Sequence, residues 1–220
     1  MQALHYGQKQ GVRQLVGTRN LYFALTPCYL IRMPAADLPS SSANLPTPHL
    51  PDLVGLFYDQ PRELGTFEPI SAAEIPQPQR RLLAHNKHMT EIVEQFHGCK
   101  VDVQVLASRR DNGLYSRKIL LTRQSDGAVV QFGIPRLHTE YLDEEVRREI
   151  ESESKPLGRV LIEHNVLREV QLAALWKVQP GPDLCRMFGL TTPQVAYGRT
   201  ALIYCNGEPA IELLEILTPQ

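Results

Sequence analysis

The chain has 220 residues, 43% of them apolar and 21% charged, with a net charge of −1 and a pI near 6.7. This length and apolar fraction allow one large domain with its own core, without metal or disulfide staples. The near-neutral balance provides no global pull toward nucleic acid or an anionic membrane surface, and no apolar run is long enough for membrane insertion.

Residues 1–30 carry Arg13 and Arg19 and no continuous apolar stretch, so they do not read as a secretory signal, and a cytoplasmic location is expected. Cys28, Cys99, Cys185 and Cys205 lie far apart without a CxxC pair and read as buried free thiols. Nine of the 17 prolines fall in one stretch: Pro34, Pro39, Pro46, Pro48, Pro51, Pro61, Pro69, Pro76 and Pro78. Within it, residues 38–51 are rich in Ser and Pro, a composition that favours extended or disordered chain. Residues 1–78 are therefore expected to form a Pro-rich N-terminal extension, anchored on a folded body by Leu56, Phe57, Tyr58 and Phe67. The body is expected to span residues 79–220.

Leu82, Leu83, Met89, Ile92, Val93 and Phe96 recur at helical spacing after Pro76 and Pro78, with Gly98 as the stop. Val101, Val103 and Val105 alternate as a strand, and residues 114–123 and 128–136 flank Ser125-Asp126-Gly127 as a hairpin. Asp143 stands where an N-cap would precede the charged helix EEVRREIES, with Glu144 and Glu145 spaced to meet Arg148. Val170, Leu172, Ala174, Trp176 and Val178 alternate over a long strand, and residues 182–189 predict a short helix. Residues 197–205 and 209–217 are joined across Asn206-Gly207, a strong hairpin signal. Hairpins in series with helices between them predict the α+β class, an antiparallel sheet with helices packed on it.

Two charges stand on apolar strand faces. Side chains alternate along a strand, so Arg117 shares a face with Tyr115, Ile119 and Leu121, and Glu215 shares one with Ile211, Leu213 and Leu217. A charge in such a place costs several kcal/mol, in order of magnitude, unless something compensates it. Either the two residues pair with each other or with local partners, or they flank a cavity where a polar ligand completes them. Arg159, after Pro156-Leu157-Gly158, stands at a helix start that is either an anion site or a plain capping turn. Arg199 in YGRT is a second cation or a solvated strand arginine. His85 and His88 are three residues apart and His97 follows, but no carboxylate or cysteine completes a metal set, so no metal is expected. There is no GxSxG, P-loop or GxGxxG, and Ser40 to Ser42 lie in the Pro-rich stretch, so covalent catalysis is not indicated.

The runs LLAHNKHMT, YSRKILLT, KPLGRVL and YGRTALIYCNGEPAIELLEIL, in that order, resemble the chorismate pyruvate-lyase family over residues 80–219. The resemblance implies an α+β, chorismate lyase-like fold and a cofactor-free elimination of pyruvate from chorismate to give 4-hydroxybenzoate, a reaction of the ubiquinone-biosynthesis type. It also implies site residues. Met89 and Thr90 match the family's MT motif, with the methionine lining the aromatic site, and Arg117 matches the arginine that holds the ring carboxylate. Leu157 matches the residue whose backbone contacts the same carboxylate, beside Gly158. Glu215 matches the carboxylate that binds the hydroxyl across the ring, with one extra residue after Gly207 and Glu212 as the fallback. Arg159 or Arg199 would neutralise the enolpyruvyl carboxylate. The short RRDNG connection between strands departs from the longer covering segment of the best-known bacterial enzymes.

The expected partner is thus a small aromatic or pre-aromatic carboxylic acid, with no cofactor and no nucleic acid. The alternative is a non-catalytic binding or sensing module for such an acid, because the family's fold is shared with effector-sensing domains of some transcription regulators. Such regulators carry a basic helix-turn-helix domain, and the first 75 residues, Pro-rich and not markedly basic, do not read as one.

Overall fold

The computed structural model describes residues 47–219. Among these residues, seven strands form one fully antiparallel sheet: β1 (Gly65–Ile70), β2 (Val101–Asp111), β3 (Leu114–Arg123), β4 (Val129–His138), β5 (Arg168–Pro180), β6 (Ala196–Cys205) and β7 (Glu208–Leu217). The spatial order is β1-β5-β6-β7-β4-β3-β2. This is the α+β antiparallel architecture expected from the hairpin pattern. Strand β7 sits at the centre, and every residue from Ala210 to Leu217 on it is buried. That explains why its sequence, AIELLEIL, is apolar on both faces.

Asn112-Gly113 and Asn206-Gly207 close the β2–β3 and β6–β7 hairpins with positive φ at both residues, the geometry that suits the right-handed strand twist. Among the described residues, six α-helices cover the sheet: α1 (Leu50–Gly55), α2 (Gln79–Leu83), α3 (Met89–His97), α4 (Glu144–Glu151), α5 (Leu157–Glu163) and α6 (Pro182–Phe188). On one face, Leu53 and Val54 of α1 and Leu184 and Phe188 of α6 pack on Phe132, Ile134, Leu214 and Ile216. The opposite face carries two apolar clusters. One joins Val146, Ile150, Leu157 and Leu161 of α4 and α5 to Ile203, Ile211 and Leu213. The other joins Leu83, Met89 and Val93 of α2 and α3 to Ile119, Leu121 and Leu217. No helix among the described residues is long and apolar enough to cross a membrane.

Of the Pro-rich stretch, residues 1–46 lie outside the described residues, as does Cys28. The remainder is more regular than its composition implies. Pro51 falls in the first turn of α1, where its missing N–H costs nothing. Residues 65–70 form β1, the edge strand paired with β5, and an edge tolerates Pro69 because one side of the strand needs no donors. Phe67 packs edge-to-face on Trp176, and Tyr58 donates to Asp183 at 2.7 Å. Cys99 and Cys185 are partly buried and Cys205 is buried; all three are free.

The helical run expected from Leu82 to Phe96 is broken in two. Helix α2 ends at Leu83, and residues 84–88 form an irregular linker before α3, which closes on Gly98 in the left-handed region.

Candidate functional site

The two clusters on the face covered by α2 to α5 meet along a seam, and the seam is not filled. A hollow with about 40 Å³ of free space lies there, enough for roughly three waters. Its walls are mostly apolar: Met89 from α3, Leu157 from α5, and Ile119, Leu121, Pro135 and Leu213 from the sheet. Its polar groups are His88, Thr90, Gln131, Arg199 and Glu215. Strand register explains the convergence. Glu215 stands between Gly133 on β4 and Arg199 on β6, and Gly133 stands opposite Ile119 on β3. Gly133 leaves the floor open at this row; a Cβ there would lie 3.3 Å from the Ile119 side chain.

Glu215 does not pair with Arg117. Its Oε2 accepts from Arg199 Nε at 2.7 Å, and its Oε1 accepts from Gln131 Nε2 at 3.3 Å. Arg199 is fully buried, so it is neither a solvated strand arginine nor a cation left free for a second carboxylate. Its Nη1 donates to the carbonyl of His85 at 2.9 Å and its Nη2 to the carbonyl of Lys87 at 3.1 Å. These two bonds account for the helix break: the linker turns its carbonyls inward to a guanidinium that would otherwise be undersatisfied.

Arg117 is the unsatisfied charge. It is fully buried, and Nη1 donates to the Ile150 carbonyl at 3.3 Å, while Nε and Nη2 have no hydrogen-bond partner. Burial pulls its pKa below the usual arginine value, against the opposing influence of Tyr115 and Glu153. Glu153 itself accepts from the Tyr115 hydroxyl at 2.8 Å. Ser116 pairs with Arg136 and Ile119 with Gly133, which sets Arg117 opposite Pro135. Pro135 and Ile119 line the hollow, whereas Arg117 lies one step beyond them and does not line it. From strand spacing, the Arg117 and Glu215 backbones are roughly 12 Å apart, two strands across and two residues along.

Met89 and Thr90 begin α3, Leu157 and Gly158 begin α5, and all four line the hollow. A Cβ on Gly158 would lie 2.9 Å from Thr90 Oγ1, so the two helix starts approach as closely as they do only because residue 158 has no side chain. Arg159 departs from the sequence expectation. It forms an ion pair with Glu94 of α3, which also binds Lys100 at 2.8 Å, and it does not line the hollow. Glu212, the fallback for Glu215, points away from the hollow and is held by Arg136 at 2.5 and 2.9 Å.

Two lining residues were not among the expected contacts. His88 is buried with Nε2 unpartnered, and burial pushes its pKa down to about 4, so the ring is neutral near pH 7. Gln131 is buried with Oε1 unpartnered. Its Nε2 must face Glu215, so its oxygen is the end left over. The signal for Gln131 was present in the sequence, since it is the one polar side chain in the otherwise apolar run from Val129 to Pro135. Among the described residues, no three His, Cys, Asp or Glu side chains gather as a metal-binding group.

No protein-family model matches the chain, and no curated protein matches it. Solved structures similar to it include a gene product of Staphylococcus aureus (11% identity, TM-score 0.40, 53% of this chain and 83% of that one). The possible transcriptional regulator YydK of Bacillus subtilis is similar at 12% identity and TM-score 0.39, over 53% of this chain and 57% of that one. The effector domain of PhnF from Mycobacterium smegmatis is similar at 14% identity and TM-score 0.40, over 60% and 88%. At these identities and TM-scores the likeness says nothing of what this chain binds.

Proposed function

We propose that the seam hollow receives a small aromatic or pre-aromatic carboxylic acid, and that the protein is a chorismate lyase-like enzyme that releases pyruvate from chorismate to give 4-hydroxybenzoate. One observation carries this reading: Arg117 is a fully buried guanidinium with two unpartnered nitrogens beside an apolar hollow. A buried cation left in that state is strongly unfavourable, and a carboxylate ligand would relieve it through a bidentate, charge-assisted contact. The acid would lie with its carboxylate on Arg117 and its hydroxyl toward Glu215. Met89 and Leu157 would flank the ring, with Thr90 and Gly158 completing the rim. A ring acid is larger than the free space, so Leu157 and the Ile150 end of α4 must shift to admit it and to uncover Arg117.

The chemistry fits such a site. Elimination breaks the ether C–O bond to the enolpyruvyl group and the C–H bond on the neighbouring hydroxyl-bearing carbon. The ring becomes aromatic, and the proton ends on the methylene carbon of the released enolpyruvate, which becomes pyruvate. Atoms and charge balance without a co-reactant. The protein's work is to align the ring, exclude water and offset developing charge.

The alternative reading, binding or sensing without turnover, is favoured by one feature: both oxygens of Glu215 already accept hydrogen bonds, from Arg199 and Gln131. One assay separates the two. Purified protein is incubated with chorismate, and 4-hydroxybenzoate and pyruvate are followed by chromatography. Equimolar release of both supports the lyase. Tight binding of hydroxybenzoates with no release supports the sensor.

A further inference from the structure

We propose that Arg199 is a positioning residue: it aims Glu215 at the ligand hydroxyl and fixes the α2–α3 linker that carries His88, Met89 and Thr90. This inference rests on the ligand reading above. Each of its three guanidinium nitrogens already donates to protein. Nε takes Glu215, Nη1 takes the His85 carbonyl and Nη2 the Lys87 carbonyl, and Nη1 lies 3.3 Å from His85 Nδ1. A guanidinium so engaged has little left for a ligand, although it lines the hollow.

The planar fork suits this task. Its Nε edge faces one strand neighbour while its Nη ends reach across to a separate segment, which a point-like ammonium does poorly. The linker is arranged to receive it. His85 Nε2 lies 2.8 Å from the Leu82 carbonyl, which makes Nε2 the protonated nitrogen and leaves Nδ1 to accept from the Lys87 backbone at 3.1 Å. Asn86 then accepts from the Leu172 backbone at 3.1 Å. One buried cation therefore satisfies a carboxylate and two carbonyls at once, and the next three residues form the rim of the hollow.

The test compares 4-hydroxybenzoate with benzoate, which lacks the hydroxyl, by calorimetric titration of the wild-type chain, R199Q and R199K. The wild type is expected to prefer the hydroxylated acid by about tenfold, as one hydrogen bond to a charged acceptor confers. In R199Q the preference falls to about twofold or less, and R199K restores it in part. Retention of the full preference in R199Q overturns the inference. So does an equal loss of affinity for both acids, which would leave Arg199 a general structural role. If R199Q fails to fold, R199K decides: a preference cut at least threefold supports the inference, and an unchanged one refutes it. A wild-type chain that binds neither acid ends the ligand reading itself, and this inference with it.

Discussion

Arg117 and Glu215 share one face of the central sheet, two strands apart, yet they do not pair. Glu215 is held by Arg199 at 2.7 Å, whereas Arg117 keeps a single 3.3 Å bond to the Ile150 carbonyl. Of these two buried charges, Glu215 is ion-paired and Arg117 keeps two nitrogens without a hydrogen-bond partner, with an apolar hollow beside them. Departures of this kind from a fully satisfied core fall at functional or strained sites.

Replacing Arg117 with methionine should raise stability, because the unpartnered charge disappears and the stem volume stays. The expected gain in urea unfolding is about 1–3 kcal/mol. A loss of similar size would mean that Arg117 is structurally satisfied and would weaken its assignment to a carboxylate.

Glu215→Gln should do the opposite. It leaves the fully buried Arg199 without its counter-charge, and a loss of about 3 kcal/mol is expected from the same measurement. If the variant unfolds at the wild-type urea concentration, the pair does not carry the weight assigned to it.

These two residues are legible in the sequence because strand alternation alone puts them on apolar faces. Alternation could not say which partner each would take. Arg199 is 114 residues from His85 in sequence, and their contact is what breaks the helical run that Leu82 to Phe96 otherwise describe. The α1 and β1 segments were hidden by prolines that an N-terminal helical turn and a sheet edge both tolerate. The resemblance assigns no contact to His88 or Gln131. Their unpartnered atoms matter only because tertiary packing buries them against the hollow.

His88 should make stability depend on acid. Its folded pKa, about 4, lies below the ordinary 6.5, so the unfolded chain binds more protons between these values. Stability is then full above pH 6.5 and falls as pH drops toward 4, by about 2 kcal/mol between pH 7 and 4.5 from this group. His88→Gln should remove that share of the slope in urea unfolding at pH 7, 5.5 and 4.5. An unchanged slope would place the acid sensitivity elsewhere.

Gly158→Ala should push α5 away from α3, since its Cβ would meet Thr90 Oγ1 at 2.9 Å. The expected cost is about 1–3 kcal/mol. Adding Thr90→Ala should recover much of it, and a double variant no more stable than Gly158→Ala would show that the close approach is not the cause.

The most direct measurement is a titration of 4-hydroxybenzoate into the wild-type chain and into Arg117→Ala, with circular dichroism confirming that both are folded. The account predicts binding to the wild type and at least about a hundredfold weaker binding to the variant, since the carboxylate loses its only guanidinium. Equal affinity in the two proteins would contradict it.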